Sequence, residues 1–243
     1  MKAVFLKEIH SFFSSIVGYL AIAVFLVVNG LFLWVFEGEF NILDMGFASM
    51  NPFFKIAPWI FIFLIPAICM PSFSEEKKQG TFEVLLTKPL TEWKLILGKY
   101  FGNLFVVMLA LLPTLLYVFT LKKLEKPLQQ LDSGEILGSY LGLVFLAGVF
   151  TAIGIFSSSL TKNQIVAFIT GMLLCFLFFF AFSGLSALNL FGSDIYALEY
   201  LGISFHYESI SRGVLDTRNI IYFFSLIVLF LHLTKFSFKR NLQ

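Results

Sequence analysis

Charge is what this sequence has least of. Only 13% of its 243 residues are Asp, Glu, Lys or Arg, where a soluble globular domain carries about a quarter. That shortage excludes a chain that keeps most of its surface in water. Cysteine is scarce as well. Cys69 and Cys175 both fall inside apolar runs, so neither a disulfide framework nor a thiolate metal cluster is indicated. No G-x-x-x-x-G-K-[ST] phosphate loop occurs, because Gly98-Lys99-Tyr100 has neither the upstream glycine nor a Ser or Thr directly after the lysine. The three histidines, His10, His206 and His232, form no H-E-x-x-H pair, which sets aside zinc hydrolysis by that route. A cleavable leader is not expected either: the apolar run after Lys7 is too long for a signal core and has no small-x-small cleavage site. The first apolar span is expected to stay as an anchor.

Apolar residues are abundant. They make up 58% of the chain, with 33 Phe and a mean hydropathy of +0.89. A helix crosses about 30 Å of hydrocarbon with about 20 apolar residues, and six stretches come close: 16–36, 56–73, 100–121, 136–160, 165–185 and 220–238. We read an all-α integral membrane protein with six transmembrane helices. Pro58, Pro66 and Pro71 predict kinks in the second span, and Pro113 in the third. Asp216 or Thr217 suits the N-cap of the last.

Residues 1–15 place Val4, Phe5, Ile9, Phe12 and Phe13 on one helical face. An amphipathic helix lying on the bilayer fits that pattern, with a flexible tail as the other reading. The chain thus divides into an interfacial helix, 1–15, and a six-span domain, 16–243. An even span count puts both termini on one side. That side, with loop 74–99 and Lys162, holds about eleven of the 17 basic residues and about five of the 15 acids, so the positive-inside rule makes it cytoplasmic. Segments 37–55, 122–135 and 186–219 then face outward. The last mixes Leu, Phe and Tyr with Asp194, Glu199, Glu208 and Arg212, as short helices re-entering the outer leaflet would, and as a surface loop would. Within the spans His232 is the lone ionisable residue near the middle. Ion-coupled carriers and intramembrane hydrolases need buried ionisable groups, at about 2.5–3.5 kcal/mol each. What remains is a machine driven from outside the membrane.

The largest polar island is 74–99, SEEKKQGTFEVLLTKPLTEWKLILGK. Gly80 interrupts it, Thr81 suits the cap of a turn running to Leu86, Pro89 stops that turn, and Thr91 suits the cap of the next helix. Phe82, Leu85 and Leu86 fall at i, i+3 and i+4, so one face is apolar while Glu83 points elsewhere. From the residues alone this is a solvated connector or a compact knob offered to a soluble partner.

The run Glu75-Glu76-Lys77-Lys78-Gln79-Gly80-Thr81-Phe82-Glu83-Val84-Leu85-Leu86, followed by Pro89 and by Gly98-Lys99, resembles the signature of ABC-2 type transporter permeases, roughly E-x-x-x-G-T-x-E-x-L-L-x-x-P and then G-K. The likeness extends to Lys7-Glu8 ahead of Phe13-Ser14-Ser15-Ile16, to the tight turn 154–164, and to Gly213-Val214-Leu215-Asp216 before Tyr222-Phe223-Phe224. The serines of that turn, Ser157 to Ser159, read equally as ordinary helix-packing residues. Over its whole length the chain is most similar to the permeases of gliding-motility-associated ABC transporters.

The resemblance implies a coupling helix carrying Glu75, Glu76, Gly80, Thr81, Phe82, Glu83, Leu85 and Leu86, which sits in a groove of a separate ATPase subunit. It implies no catalytic residue, cofactor or metal on this chain, with ATP and Mg on the ATPase. A second membrane subunit or a second copy would be the two-fold partner, in a bacterial inner membrane, with no nucleic-acid partner. Exporter permeases for drugs, polysaccharides or copper-related systems share the pattern. A scaffold that drives a periplasmic machine without moving a solute also remains open.

Overall fold

The structure, a computed structural model, describes residues 1–44, 49–82, 91–124, 132–187, 199–213 and 216–240. Every regular element among them is helical. Helix α1 (Lys2–Phe13) is followed by α2 (Ile16–Trp34), and α1 is bent by 69° from the segment Gly18–Trp34. Next come α3 (Asn51–Cys69) and α4 (Pro71–Lys78). Helix α5 (Glu92–Leu111) passes through a 3-10 turn, Leu112–Thr114, into α6 (Leu115–Leu124). Helix α7 (Ser133–Leu160) precedes α8 (Gln164–Phe176), which continues through a π turn, Leu177–Ala181, into α9 (Phe182–Ala187). A short α10 (Ile203–Ser211) and the long α11 (Thr217–Arg240) complete the set.

Five runs are long and apolar enough to cross a membrane: Asn51–Lys78, Glu92–Lys123, Ser133–Leu160, Gln164–Ser186 and Thr217–Phe238. The bent pair α1 and α2 makes a sixth if it is counted as one span. The bundle is built around α7, which packs against α3, α8, α10 and α11. Its small residues are the reason. A Cβ on Gly154 would lie 2.7 Å from Cys69 Cβ, and one on Gly138 would lie 2.9 Å from the Gly213 Cα. Lipid tails are as apolar as leucine, so helices gain from contact in a membrane chiefly by close packing, which small residues permit.

Prolines act where their geometry predicts, with one shift of place. Pro58 and Pro66 sit inside α3 without ending it; the break falls at Met70, just before Pro71. Ser158 of α7 repairs it. Its Oγ accepts from the Phe73 and Ser74 amides at 2.9 and 3.1 Å and donates to the Met70 carbonyl at 2.8 Å, so a neighbouring helix supplies the cap that Met70 lacks. Pro113, expected to kink the third span, lies in the 3-10 turn that interrupts its helix. Asp132 caps α7 by accepting from the Gly134 and Glu135 amides, and Asp216 accepts from the Arg218 amide at 2.9 Å at the start of α11.

The second span differs from the expected 56–73. It begins at Asn51 and stays helical, apart from the Met70 break, to Lys78, and the third begins at Glu92 rather than at 100. Polar side chains do not end a helix; Gly80, at φ +71°, does. Both ends of the island 74–99 are therefore helical. Within 186–219, α10 buries Ile203, Tyr207 and Ile210, and the Tyr207 hydroxyl donates to the Phe54 carbonyl at 2.7 Å.

Candidate functional site

The site starts from two glycines one helical turn apart on α5. A Cβ on Gly98 would stand 2.9 Å from Val4 Cβ, and one on Gly102 would stand 2.8 Å from Glu8 Cβ. Only hydrogen at those positions lets α1 lie this close to α5, in the small-x-x-x-small manner.

Lys99 sits between the two glycines. It is 1% exposed, a position an ammonium holds only when paired. It donates to Glu8 Oε1 at 2.7 Å, to Glu76 Oε1 at 2.8 Å and to the Ser72 carbonyl at 2.6 Å. Three N–H groups meet three acceptors, so the ammonium is saturated. The Phe73 ring lies 4.9 Å from the same nitrogen, adding an attraction between cation and π face. One turn further, Asn103 donates to Ser72 Oγ at 2.8 Å and to the Lys99 carbonyl at 2.9 Å.

Glu76 Oε1 accepts a second ammonium, that of Lys7, at 2.5 Å. A single carboxylate on α4 thus ties α1 to α5. Burial by itself would lower the Lys7 pKa, but the hydrogen bond to Glu76 and the charges of Glu76, Glu8 and Glu75 outweigh it and hold it above the ordinary lysine value.

Besides His232, the one ionisable residue expected near the middle of a span, this cluster puts buried charge near the ends of two membrane-length runs. Lys99 and Glu76 are buried inside the membrane-length runs Glu92–Lys123 and Asn51–Lys78, whereas His232 is exposed on α11. Both belong to the segment 74–99, whose residues alone read as a solvated connector or a compact knob; mutual pairing is what lets them go inside.

The other residues of the expected coupling helix fall as follows. Glu75 is half-buried and accepts from Gln79 Nε2 at 3.1 Å. Gly80 closes α4 in the left-handed conformation, with its amide and that of Gln79 bonded to the Lys77 and Glu75 carbonyls. Thr81 Oγ1 donates to the Glu76 carbonyl at 3.3 Å. Phe82 is 6% exposed. Its ring packs edge-on against Phe73 and Phe238, with centroids at 6.1 and 5.1 Å. The expected apolar face therefore has its first member turned into its own chain. Glu83, Leu85 and Leu86 lie outside the described residues, as does Pro89.

Helix α11 touches both flanks of that segment. On the near side Phe238 meets Phe82, Ser237 Oγ donates to the Ser159 carbonyl at 3.0 Å, and Lys77 donates to the same carbonyl. On the far side Lys235 lies 3.8 Å from Glu92 and 5.3 Å from the centre of the Trp93 ring, which His232 meets at 4.7 Å. Lys7, Glu8, Ser72, Lys99 and Asn103 were not singled out as site residues from sequence. The spacing Gly98-x-x-x-Gly102 around a lysine was the available signal. Among the described residues no three His, Cys, Asp or Glu side chains are placed to hold a metal ion.

Membrane-length helices packed around α7, with a buried charge cluster at the base of the second and third spans beside a charged connecting segment, define a multi-pass membrane protein. Residues 37–241 match the family described as ABC-2 family transporter protein, and the chain belongs to that family. It is a transmembrane permease subunit, and membership implies an ABC ATPase partner. No curated protein matches the chain.

Proposed function

We propose that this chain is the permease of a gliding-motility-associated ABC-2 complex, a GldF-like subunit that receives ATP-driven motion through the segment holding Glu75, Glu76, Gly80, Thr81, Phe82, Glu83, Leu85 and Leu86. ATP and Mg bind on a separate GldA-like ATPase. The two-fold partner is a GldG-like membrane subunit or a second copy, since paired ATP sites call for two coupling segments. The complex lies in a bacterial inner membrane with both termini in the cytoplasm.

The observation that carries the coupling reading is the double role of Glu76. It is the first acid of the E-x-x-x-G-T pattern, and its carboxylate holds Lys7 of α1 and Lys99 of α5. A push on the segment after Gly80 reaches α4 directly and, through that carboxylate, two further helices. Phe82 adds a route into α11 through Phe238. The gliding assignment rests on the whole-chain sequence resemblance.

Purification of the complex from native membranes, with deletion of the chain in the same cells, tests the proposal. Co-purification of an ATPase together with loss of surface gliding is expected. An ATPase-bearing complex that transports a labelled drug or polysaccharide in cells that still glide without it would replace gliding by export.

A further inference from the structure

A cleft of about 430 Å³ opens between the α1–α2 corner, α4 and α5, a size in the range of small-ligand sites. Its lining is two-sided. Phe12 and Ile68 give it an apolar wall, and Lys7, Glu8, Glu75 and Glu76 give it a charged one.

The charged wall is out of balance. Glu8, Glu75 and Glu76 carry three negative charges, and Lys7 with the adjoining Lys99 supplies two positive ones, so one negative charge has no counterpart in the cluster. The deficit has an address. Glu76 Oε1 accepts both ammoniums, while Oε2 is buried and has no hydrogen-bond partner among the described residues. The Glu76 side chain is 8% exposed. A buried carboxylate oxygen left without a donor is costly, and in native proteins such an atom usually meets a donor from protein, bound water, ion or ligand.

We propose that the cleft binds a primary ammonium group, which donates to Glu76 and Glu75 while its carbon chain lies along Phe12 and Ile68. The class follows from the lining. The donors required are N–H groups, which a quaternary ammonium does not have, and among the described residues no three ligating side chains are set for a metal ion. A single charge also cancels the deficit. Lys7, 53% exposed, stays bonded to Glu76 Oε1 and leaves Oε2 to the ligand. Two sources present this chemistry: a free small amine, and the head of an aminophospholipid reached from the membrane side of the amphipathic α1. The inference stands apart from the coupling assignment.

The test uses the intact protein with two matched pairs of probes. In nanodiscs of phosphatidylethanolamine or phosphatidylcholine mixed with phosphatidylglycerol, lipid retained after release is counted by native mass spectrometry; in detergent, thermal shifts are recorded with ethanolamine or choline. Retention of the ethanolamine lipid about tenfold or more over the choline lipid is expected, as is a shift with ethanolamine alone. A preference seen only with lipid assigns the membrane source, and one seen only with free amine assigns the soluble source. Glu76→Gln should abolish the preference. Because Glu76 also holds the helices together, Glu75→Gln, at a half-buried position outside the ion pairs, serves as the second variant and should weaken it. Equal retention of both lipids with indistinguishable ethanolamine and choline shifts, or a preference unchanged in both variants, would overturn the proposal.

Discussion

Glu8 and Lys99 stand 91 positions apart in the chain, and their charged atoms meet at 2.7 Å. The contact exists because Gly102 leaves room for the Glu8 Cβ, so packing and charge depend on one another there. Substituting the lysine should expose that dependence. Lys99→Met removes the shared cation and leaves Glu8 and Glu76 buried as like charges, which costs about 3–5 kcal/mol. The triple variant with Glu8→Gln and Glu76→Gln should recover most of the loss, since no charge is then stranded. Denaturant unfolding in detergent micelles measures both, and a single variant as stable as the parent would mean that the cluster is not sealed from water.

The glycines separate by what faces them. Gly98→Leu and Gly102→Leu should detach α1, seen as faster proteolysis within the first fifteen or so residues, because each new side chain meets α1 within van der Waals distance. Gly30 on α2 has nothing within 4 Å of a built Cβ. Gly30→Ala should leave docking unchanged and stabilise the helix by about 0.5–1 kcal/mol.

Alkaline pH should loosen α1 late. The folded pKa of Lys7 is raised, so its contribution is complete below the unfolded lysine value of about 10.4 and is lost as pH rises through the folded one. Reactivity of a Ser11→Cys thiol, placed in the cleft lining, should therefore show no Lys7-dependent change between about pH 6 and 9, and should gain a component above the ordinary lysine range that Lys7→Met abolishes. A Lys7-dependent change near neutrality would contradict the ion-pair account.

Orientation is open to a direct check. With the termini and Lys78 on the cytoplasmic side, an impermeant thiol reagent added to intact cells should label Lys126→Cys and spare Lys78→Cys. Labelling of Lys78→Cys alone would reverse the arrangement.

Much of the helical plan is written in local chemistry. The apolar runs mark the spans, Pro113 marks the 3-10 turn, and Asp216 marks the start of α11. The reading faltered where charge and helix coincide. Glu75 to Lys78 read as loop because polar residues look solvated one at a time, yet the helix runs on through Lys78 and is closed at Gly80, where the backbone turns left-handed. Lys99 read as a boundary residue because its partners, Glu8 and Glu76, are remote in sequence. Phe82 read as one face of an outward knob because its neighbour Phe238 comes from the last helix. The long-range pairings that decide burial leave only indirect traces, of which the Gly98 and Gly102 spacing is one.

The central claim is that the segment following Gly80 carries an ATPase's motion into this bundle. Leu85 and Leu86 are the remaining members of its expected apolar face once Phe82 is turned inward. The double variant Leu85→Ala, Leu86→Ala should insert normally and lose the ATPase on purification, with association weakened by about 1–3 kcal/mol for each well-buried anchor, while Glu83→Lys should keep the ATPase and lose function. Co-purification of the ATPase with each membrane-inserted variant, alongside whole-cell function, measures this most directly. A double alanine variant that inserts, retains its ATPase and functions as the parent does would contradict the account and leave 83–90 as a solvated connector.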